Sequence, residues 1–198
     1  MNVIRPPTPL DSAAIAELVL QSDCGMLPAL FGPEVGRLIA WLLPRRANPY
    51  SASNALVIDE QEGGRVIGAV VGSLAGAARR NDIRTALLLL GWYGPGVILR
   101  YPRLARAGAA LRGLRSDDFY LSHIAVLPSH RGQGTGERLL RSVEDHARAL
   151  HAGRLVLDVA TDNDRARAFY ARMGYTRDSL LNIELGRTFA FDRVARSL

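Results

Sequence analysis

The sequence predicts a single α/β domain, in which strands and helices alternate along the chain. Three observations support this class. Runs rich in branched apolar residues alternate with amphipathic helical segments, no internal repeat is present, and no low-complexity linker divides the chain. A chain of 198 residues, 48% of them hydrophobic, is long enough to bury one sizeable core. We therefore expect residues 1–198 to form one domain.

The first part of the chain predicts a short strand followed by two helices. Thr8 is a suitable helix N-cap, Pro9 fits the first helical position, and Asp11 places negative charge near the positive end of the helix dipole. An apolar stripe along this first helix predicts that one face is buried. A second helix is expected over residues 32–43, where Pro44 ends it.

A β-hairpin and a long helical insertion follow. Two β-branched runs flank an acidic turn that contains Gly63 and Gly64, which is typical of a hairpin. Residues 77–116 are rich in alanine, leucine and arginine and are predicted to be mostly helical, with a break at the turn 91–96. The remaining elements are a strand, a helix, a strand, a helix and a last strand, predicted at 118–126, 137–151, 154–160, 164–174 and 187–193.

The composition narrows the expected partners and location. The formal net charge is +6, and the chain contains no lysine, so arginine supplies this charge. A basic surface attracts nucleic acid, membranes or anionic cofactors, although arginine-biased codon usage gives the same composition. Cys24 is the only cysteine, which excludes an internal disulfide. The apolar segment 86–99 is too short to cross a bilayer and no nucleic-acid-binding motif is present, so we expect a cytoplasmic protein with neither partner.

A glycine-rich stretch between a predicted strand and a predicted helix is the main functional signal. Residues 126–136 read VLPSHRGQGTG, and the first amides of the helix that follows have no intrahelical acceptor, so they can bind an anion. Arg131 adds a charged donor. A P-loop is excluded because it needs lysine, and a Rossmann fingerprint fails because Glu137 occupies the third glycine position. A plain turn is the remaining alternative.

Two segments together resemble the GCN5-related N-acetyltransferases (GNAT). Residues 126–136 resemble that family's pyrophosphate-binding motif, Val-x-Pro-x-x-Arg-Gly-x-Gly-x-Gly, and residues 163–175, NDRARAFYARMGY, resemble its Asn-x-x-Ala-x-x-Phe-Tyr-x-x-x-Gly-Phe/Tyr segment. The resemblance covers most of the chain and is specific over residues 121–175. It implies a mixed, mostly antiparallel sheet that splays between strands 4 and 5, with helices on both faces and a helical insertion between strands 3 and 4.

The resemblance also implies acetyl-CoA as acyl donor, with no metal. The backbone amide of Val126 would hold the thioester carbonyl, and Tyr170 would donate a proton to the departing thiolate as general acid. A phenol of pKa ~10 can match a thiol of pKa ~8.5; the alternative role of Tyr170 is packing against the sulfur. The residues expected to contact the cofactor are Ile124, Ala125, Val126, Arg131, Gly132, Gln133, Gly134, Thr135, Gly136, Asn163, Ala166 and Tyr170.

The general base is not identified by the sequence. Some family members carry Glu or His at the positions corresponding to Tyr120 and Ser122, neither of which is a good base near neutral pH. Strand alternation would place both on the face of Val126 and turn His123 to the opposite, core face. Asp117 and Asp118, just upstream, could draw a proton through water, but we expect them to be solvated loop carboxylates. Water relays or an already deprotonated substrate would make a base unnecessary.

The acceptor is expected opposite the cofactor, beside the insertion. Its aromatic residues Trp92, Tyr93 and Tyr101, with Trp41 and Tyr50, line a pocket in this interpretation; alternatively they cap the sheet or form a homodimer interface. We expect an N-acetyltransferase that acts on a primary amine by direct attack in a ternary complex. The enclosed apolar insertion favours a small-molecule acceptor, with an amino-acid derivative, an antibiotic, a protein N-terminus or a lysine as alternatives. The alternative function is a non-catalytic acyl-CoA-binding sensor. Several arginines suggest an acidic acceptor or the 3′-phosphate of CoA as partner: Arg79, Arg80, Arg100, Arg103, Arg106, Arg112 and Arg115.

Overall fold

The computed structural model describes residues 2–110 and 113–198 and contains one seven-stranded sheet with helices on both faces. The strands are β1 (Val3–Arg5), β2 (Ala55–Asp59), β3 (Val66–Leu74), β4 (Asp118–Val126), β5 (Arg154–Ala160), β6 (Thr176–Glu184) and β7 (Thr188–Ser197). The helices are α1 (Ser12–Ser22), α2 (Met26–Phe31), α3 (Val35–Leu42), α4 (Ala75–Arg80), α5 (Asp82–Tyr93), α6 (Val97–Ala110), α7 (Thr135–Ala149) and α8 (Asp164–Arg172).

Most predicted elements are confirmed, with differences at the ends and edges. Residues Pro9–Asp11 form a 3₁₀ turn, so α1 begins only at Ser12, while Thr8 and Asp11 form the expected cap with a 2.6 Å hydrogen bond from the Thr8 amide to the carboxylate. Helix α7 begins at Thr135 rather than at residue 137. Helix α2 and the edge strand β6 were not predicted. Two residues of the predicted insertion, Leu111 and Arg112, lie outside the described residues.

The sheet has the order β1-β2-β3-β4-β5-β7-β6 and is antiparallel except between β4 and β5, which confirms the predicted mixed, mostly antiparallel sheet. The β3–β4 ladder runs from Gly68↔Val126 to Leu74↔Phe119, and all seven residues of β5 pair with β7. The parallel β4–β5 ladder, by contrast, contains only the pairs from Asp118↔Arg154 to Tyr120↔Val156. Beyond that point both strands continue without pairing, so a gap opens between them. The predicted splay between strands 4 and 5 is confirmed.

A β-bulge at Ser122 lies two residues after the last β4–β5 pair. Val71 pairs with His123 and Gly72 pairs with Leu121, which leaves Ser122 as an extra residue whose hydroxyl donates to the Val71 carbonyl at 2.9 Å. A bulge bends the strand that carries it and increases its twist. The bend at Ser122 therefore turns the last part of β4 away from the direction of β5.

The bulge also overturns the predicted alternation of side chains along β4. Phe119 packs edge-on against His146 of α7, whereas His123 contacts Ser22 of α1 on the opposite side of the sheet. Because Ser122 adds one residue to the strand, Tyr120 and His123 share the α1 face. The expectation that His123 faces away from Tyr120 is wrong for this reason.

The core lies on both sides of the sheet. Amphipathic α7 buries Leu139, Leu140 and Val143 against β2, β3 and β4, and α1 buries Ile15 and Leu18 against the other face. Helices α4, α5 and α6 occupy the long connection between β3 and β4, and α5 packs on α3. Within residues 2–110 and 113–198, no helix combines the length and the apolar character needed to cross a membrane.

Candidate functional site

The gap between β4 and β5 is lined by main-chain groups from both strands. The Leu127 amide donates to the Ile67 carbonyl at 2.8 Å, so the alternation of an antiparallel ladder directs the main chain of Ile124 and Val126 away from β3 and into the gap. On the other side, the Thr161 amide donates to the Ala190 carbonyl at 3.0 Å. The same alternation directs the main-chain groups of Asp158 and Ala160 towards β4. Two strand edges therefore face each other across the gap.

The glycine-rich loop lies at the wide end of this gap. Gly132 and Gly134 have φ values of 77° and 78°, a left-handed conformation that glycine adopts without a steric penalty. Gly134 is the N-cap of α7, a helix of 15 residues, so the amides that follow it point out of the helix end. Residues 131–134 are exposed, whereas Thr135 is buried. The arrangement gives an accessible anion-binding loop at a helix N-terminus.

Arg131 connects the loop to β4. Its Nε donates to the carbonyl oxygen of Val126 at 2.9 Å, while the rest of this exposed side chain points to the loop surface. Gly136, in the first turn of α7, lies against Val126 and Phe169: a Cβ added there would meet their side chains at 4.0 and 3.9 Å. The start of α7 is thus held between β4 and α8. Gln133 is exposed and donates to the Ser129 carbonyl at 3.3 Å.

Helix α8 forms the other side of the gap. Asn163 caps it, with Oδ1 accepting from the Ala166 amide at 3.1 Å. Tyr170 is buried, and its ring lies 5.1 Å from Phe169 and 5.7 Å from Tyr175. Burial raises the pKa of Tyr170, so the phenol stays protonated throughout the neutral range. Tyr170 can therefore donate a hydrogen bond but cannot act as a phenolate base.

On the α1 face of the sheet, His123 forms a small polar cluster with Ser22 and Tyr50. The Ser22 hydroxyl donates to the Val19 carbonyl at 2.7 Å and so accepts from His123 Nδ1 at 3.2 Å. This assignment leaves the lone pair of His123 on Nε2, 3.3 Å from the Tyr50 hydroxyl. Burial lowers the pKa of His123 to about 4, so the imidazole is neutral at physiological pH.

The buried imidazole leads to a testable pH dependence of stability. Between pH 6.5 and 4 an unfolded chain protonates His123 while the folded chain does not, so the folded state loses about 2–3 kcal/mol as the pH falls through this range. His123→Gln should remove that part of the loss, which urea unfolding at several pH values measures. His146→Gln, at an exposed position of α7, is the control and should keep the wild-type slope. Parallel curves for wild type and His123→Gln would contradict the assignment.

A second polar cluster lies on the same face, just past the last β4–β5 pair. Asp158 forms a bidentate ion pair with Arg193 of β7, with Nε–Oδ1 and Nη2–Oδ2 distances of 2.8 Å. The Tyr120 hydroxyl donates to Asp158 Oδ2 at 3.0 Å, and burial together with this carboxylate raises the pKa of Tyr120 well above its ordinary value. The side chains of Asp158 and Arg193 are only 11% and 4% exposed. Sequence reasoning missed both, although a charge within an apolar strand was the signal.

The other candidates from the sequence lie at different places. The Trp92 ring lies tilted against the Trp41 ring with centroids 5.3 Å apart, and the Tyr93 hydroxyl donates to the Phe31 carbonyl at 2.6 Å, so both aromatic residues hold α5 against α2 and α3. Asp118 is buried in β4 rather than solvated in a loop, which corrects that expectation. Burial acts to raise its pKa, but hydrogen bonds from Arg154 at 2.9 Å hold the pKa below its usual value. In the described part of the chain, no group of three or more potential metal ligands occurs.

Comparison with known proteins agrees with this geometry. The model of the "Acetyltransferase (GNAT) family" matches residues 40–175. N-alpha-acetyltransferase RimI of Mycobacterium tuberculosis is 39% identical over 87 residues, which cover 43% of this chain and 49% of the relative. Streptothricin acetyltransferase of Streptomyces lavendulae is 44% identical over 55 residues, covering 28% and 29%. The chain thus spans about half or less of the length of these relatives.

A solved structure extends the likeness to the whole fold. The N-acetyltransferase from Staphylococcus aureus Mu50 superposes with a TM-score of 0.73 at 19% identity, covering 98% of this chain and 100% of the other. That structure shares the fold, while the family model covers the glycine-rich loop, the gap and Tyr170. The chain belongs to the GNAT acetyltransferase family.

Proposed function

We propose that this chain transfers the acetyl group of acetyl-CoA to a primary amine by direct attack within a ternary complex. One observation carries the proposal: the β4–β5 ladder ends at Tyr120↔Val156, and the unpaired strand edges beyond it face each other. The pantetheine arm of CoA contains two amides, which can hydrogen bond to such edges as an added strand would. The gap therefore fits an extended amide chain better than it fits a compact ligand.

In this proposal the chain holds the donor at three places. The outward amides at the start of α7 bind the pyrophosphate, the edges of β4 and β5 bind the pantetheine, and the Val126 amide binds the thioester oxygen. Arg131 contributes to phosphate binding through the part of its guanidinium not bonded to Val126. The proposed contacts are Ile124, Ala125, Val126, Arg131, Gly132, Gln133, Gly134, Thr135, Gly136, Asn163, Ala166 and Tyr170.

The chemistry then requires one bond to form and one to break. The amine nitrogen attacks the thioester carbon, negative charge develops on the thioester oxygen beside the Val126 amide, and the carbon–sulfur bond breaks. Tyr170 gives the departing sulfur a proton, or a hydrogen bond until solvent protonates it. The phenol carries the proton that this role needs, and because burial raises its pKa, a hydrogen bond to the sulfur is favoured over complete proton transfer. The products are the acetylated amine and CoA.

The α1 face supplies the acceptor side in this proposal. Tyr50, His123 and Tyr120 form a polar wall there, and Asp23 lies close enough to Tyr50 to contribute, after burial, to its raised pKa. A carboxylate beside the wall attracts a cationic amine. As the amine becomes positively charged during attack, its proton can pass through the Tyr50 hydroxyl to Nε2 of His123.

We propose a small molecule as the acceptor, because α2, α3 and α5 pack closely beside this wall through Trp41 and Trp92 and leave little width for a peptide. A protein N-terminus is the second candidate. The observation that favours it is the likeness to N-alpha-acetyltransferase RimI, at 39% identity.

The test is CoA release from acetyl-CoA against a panel that contains small primary amines and short peptides with free N-termini. We expect turnover with one class. Tyr170→Phe should then lower kcat about 100-fold and leave the Kd for acetyl-CoA within about twofold, because only the transition state needs its hydroxyl.

Tyr175→Phe is the matched control, since it removes a buried hydroxyl, bonded to Glu144 at 2.9 Å, from the neighbouring ring. It should lower stability and leave kcat nearly unchanged. An unaltered kcat in Tyr170→Phe would remove this residue from the acid role. Tight acetyl-CoA binding without turnover of any amine would instead identify a sensor.

A further inference from the structure

The positive charge of the chain is concentrated in the helices between β3 and β4. Residues 77–116 contain eight arginines and one acidic residue, Asp82, which gives this segment a formal charge of +7. Since the whole chain carries +6, the remaining residues sum to −1. The net positive charge of the protein is therefore concentrated in one segment of the chain. Arg79, Arg80, Arg84, Arg103 and Arg106 of this segment are exposed.

The same helices expose large apolar side chains. On α5, Ile83, Leu87 and Leu90 follow a spacing of four and three residues, which places them on one helix face, away from buried Leu89. At the start of α6, Ile98 and Leu99 are 71% and 83% exposed, the latter among the most exposed apolar side chains described. We name α5, α6 and the turn between them the helical hairpin, and the surface formed by these five residues and Tyr101 the hairpin patch. Monomeric proteins seldom expose several such side chains together.

Against the expectation from the sequence that no membrane is a partner, we propose that the hairpin patch binds the surface of an anionic phospholipid membrane. Exposed Ile and Leu enter the boundary between headgroups and acyl chains, and the neighbouring arginines pair with lipid phosphates. Amphipathic helices with arginine beside exposed Leu and Ile suit this boundary, because both the charged and the apolar side chains find their preferred surroundings. In this proposal the helical hairpin lies on the membrane surface and does not cross the bilayer, since none of the described helices is suited to spanning it.

The charge of this segment favours a membrane over a second copy of the chain or a nucleic acid as the binding partner. In a twofold dimer through the hairpin patch, each segment of charge +7 would face its own copy, and the arginines would repel one another. Nucleic acid would satisfy the arginines but would leave Ile98 and Leu99 against charged phosphates. An anionic membrane offers phosphates to the arginines and, at shallow depth, acyl chains to Ile98 and Leu99.

The full chain can be tested by co-sedimentation with vesicles of phosphatidylcholine alone or with 30% phosphatidylglycerol. We expect binding to the anionic vesicles at least tenfold tighter than to the neutral ones, and a large loss of that binding in 0.5 M NaCl. Absence of sedimentation with anionic vesicles, or equal binding to both compositions, would overturn the proposal.

Paired variants identify the surface. Ile98→Ser/Leu99→Ser should weaken vesicle binding at least tenfold, and Arg103→Gln/Arg106→Gln about fivefold for each arginine. The controls are Leu180→Ser, which removes a 51% exposed leucine from β6, and Arg141→Gln/Arg148→Gln, which removes two charges from α7. Controls that weaken binding equally would overturn the assignment, as would a solution dimer that Ile98→Ser/Leu99→Ser dissociates. Circular dichroism melting confirms that each variant is folded.

Discussion

Replacement of Gly132 and Gly134 together by alanine is expected to weaken CoA binding between about 10-fold and 100-fold. Both residues have left-handed backbone conformations, which cost an L-residue about 1–2 kcal/mol each. Among the described atoms, none lies within 4 Å of a Cβ added at either position, so backbone strain and not a clash is the cause. The loop relieves that strain by moving, which displaces the amides at the start of α7. Isothermal titration calorimetry with CoA measures the effect.

Gly63→Ala is the matched control for the loop variant. Gly63 lies in the turn between β2 and β3 with a φ of 68°, and there too an added Cβ meets no described atom within 4 Å. It carries the same kind of strain at a distance from the proposed site, so it should lower the free energy of unfolding by a similar amount per residue and leave CoA binding unchanged. Equal CoA affinity in wild type and the loop variant would show that this segment does not hold the diphosphate.

Asp158→Asn is expected to destabilise the fold by about 3–5 kcal/mol. The substitution leaves the guanidinium of Arg193 in a buried position without the carboxylate that forms two 2.8 Å hydrogen bonds to it. The Tyr120 hydroxyl also loses a charged acceptor. Urea unfolding measures the change, and a lower midpoint with an unchanged slope is the expected result.

The comparison for Asp158→Asn is the exposed ion pair between Arg37 and Glu34. Its side chains are 80% and 57% exposed, and Glu34→Gln should cost less than about 1 kcal/mol because solvent screens the pair. The contrast tests burial, since both substitutions remove one negative charge next to an arginine. A loss below 1 kcal/mol for Asp158→Asn would contradict the prediction that burial makes this ion pair more important to stability than the exposed one.

The glycine-rich loop could be predicted in outline because its signals are local. Gly132 and Gly134 adopt the left-handed conformations that glycine tolerates, but the helix begins at residue 135 and not at the predicted 137, and Asn163 was not predicted as a helix cap. Local backbone rules and one family resemblance were therefore enough to predict the loop and the splay. The resemblance supplied the role of Tyr170, which no spacing argument provides.

The acceptor half depends on contacts between distant residues, which the pattern of one segment does not contain. His123 meets Ser22, 101 positions away, and Asp158 meets Arg193, 35 positions away. The side on which His123 lies was wrongly predicted because a bulge changes the phase of a strand without changing its composition. Strand β6 escaped prediction because it is an edge strand, largely exposed and polar, that pairs only with β7.

The position of the extra residue in β4 bears on how the cleft stays open. If Ser122 were deleted, β4 would become a regular strand, and each remaining side chain would stay on its present face of the sheet. The residues on the two faces would therefore be the same as before. The bend that separates β4 from β5 would be lost, however, and additional β4–β5 pairs could form across the gap proposed for acetyl-CoA. The width of the gap proposed for the coenzyme thus depends on the number of residues in β4, independently of which side chains line the gap.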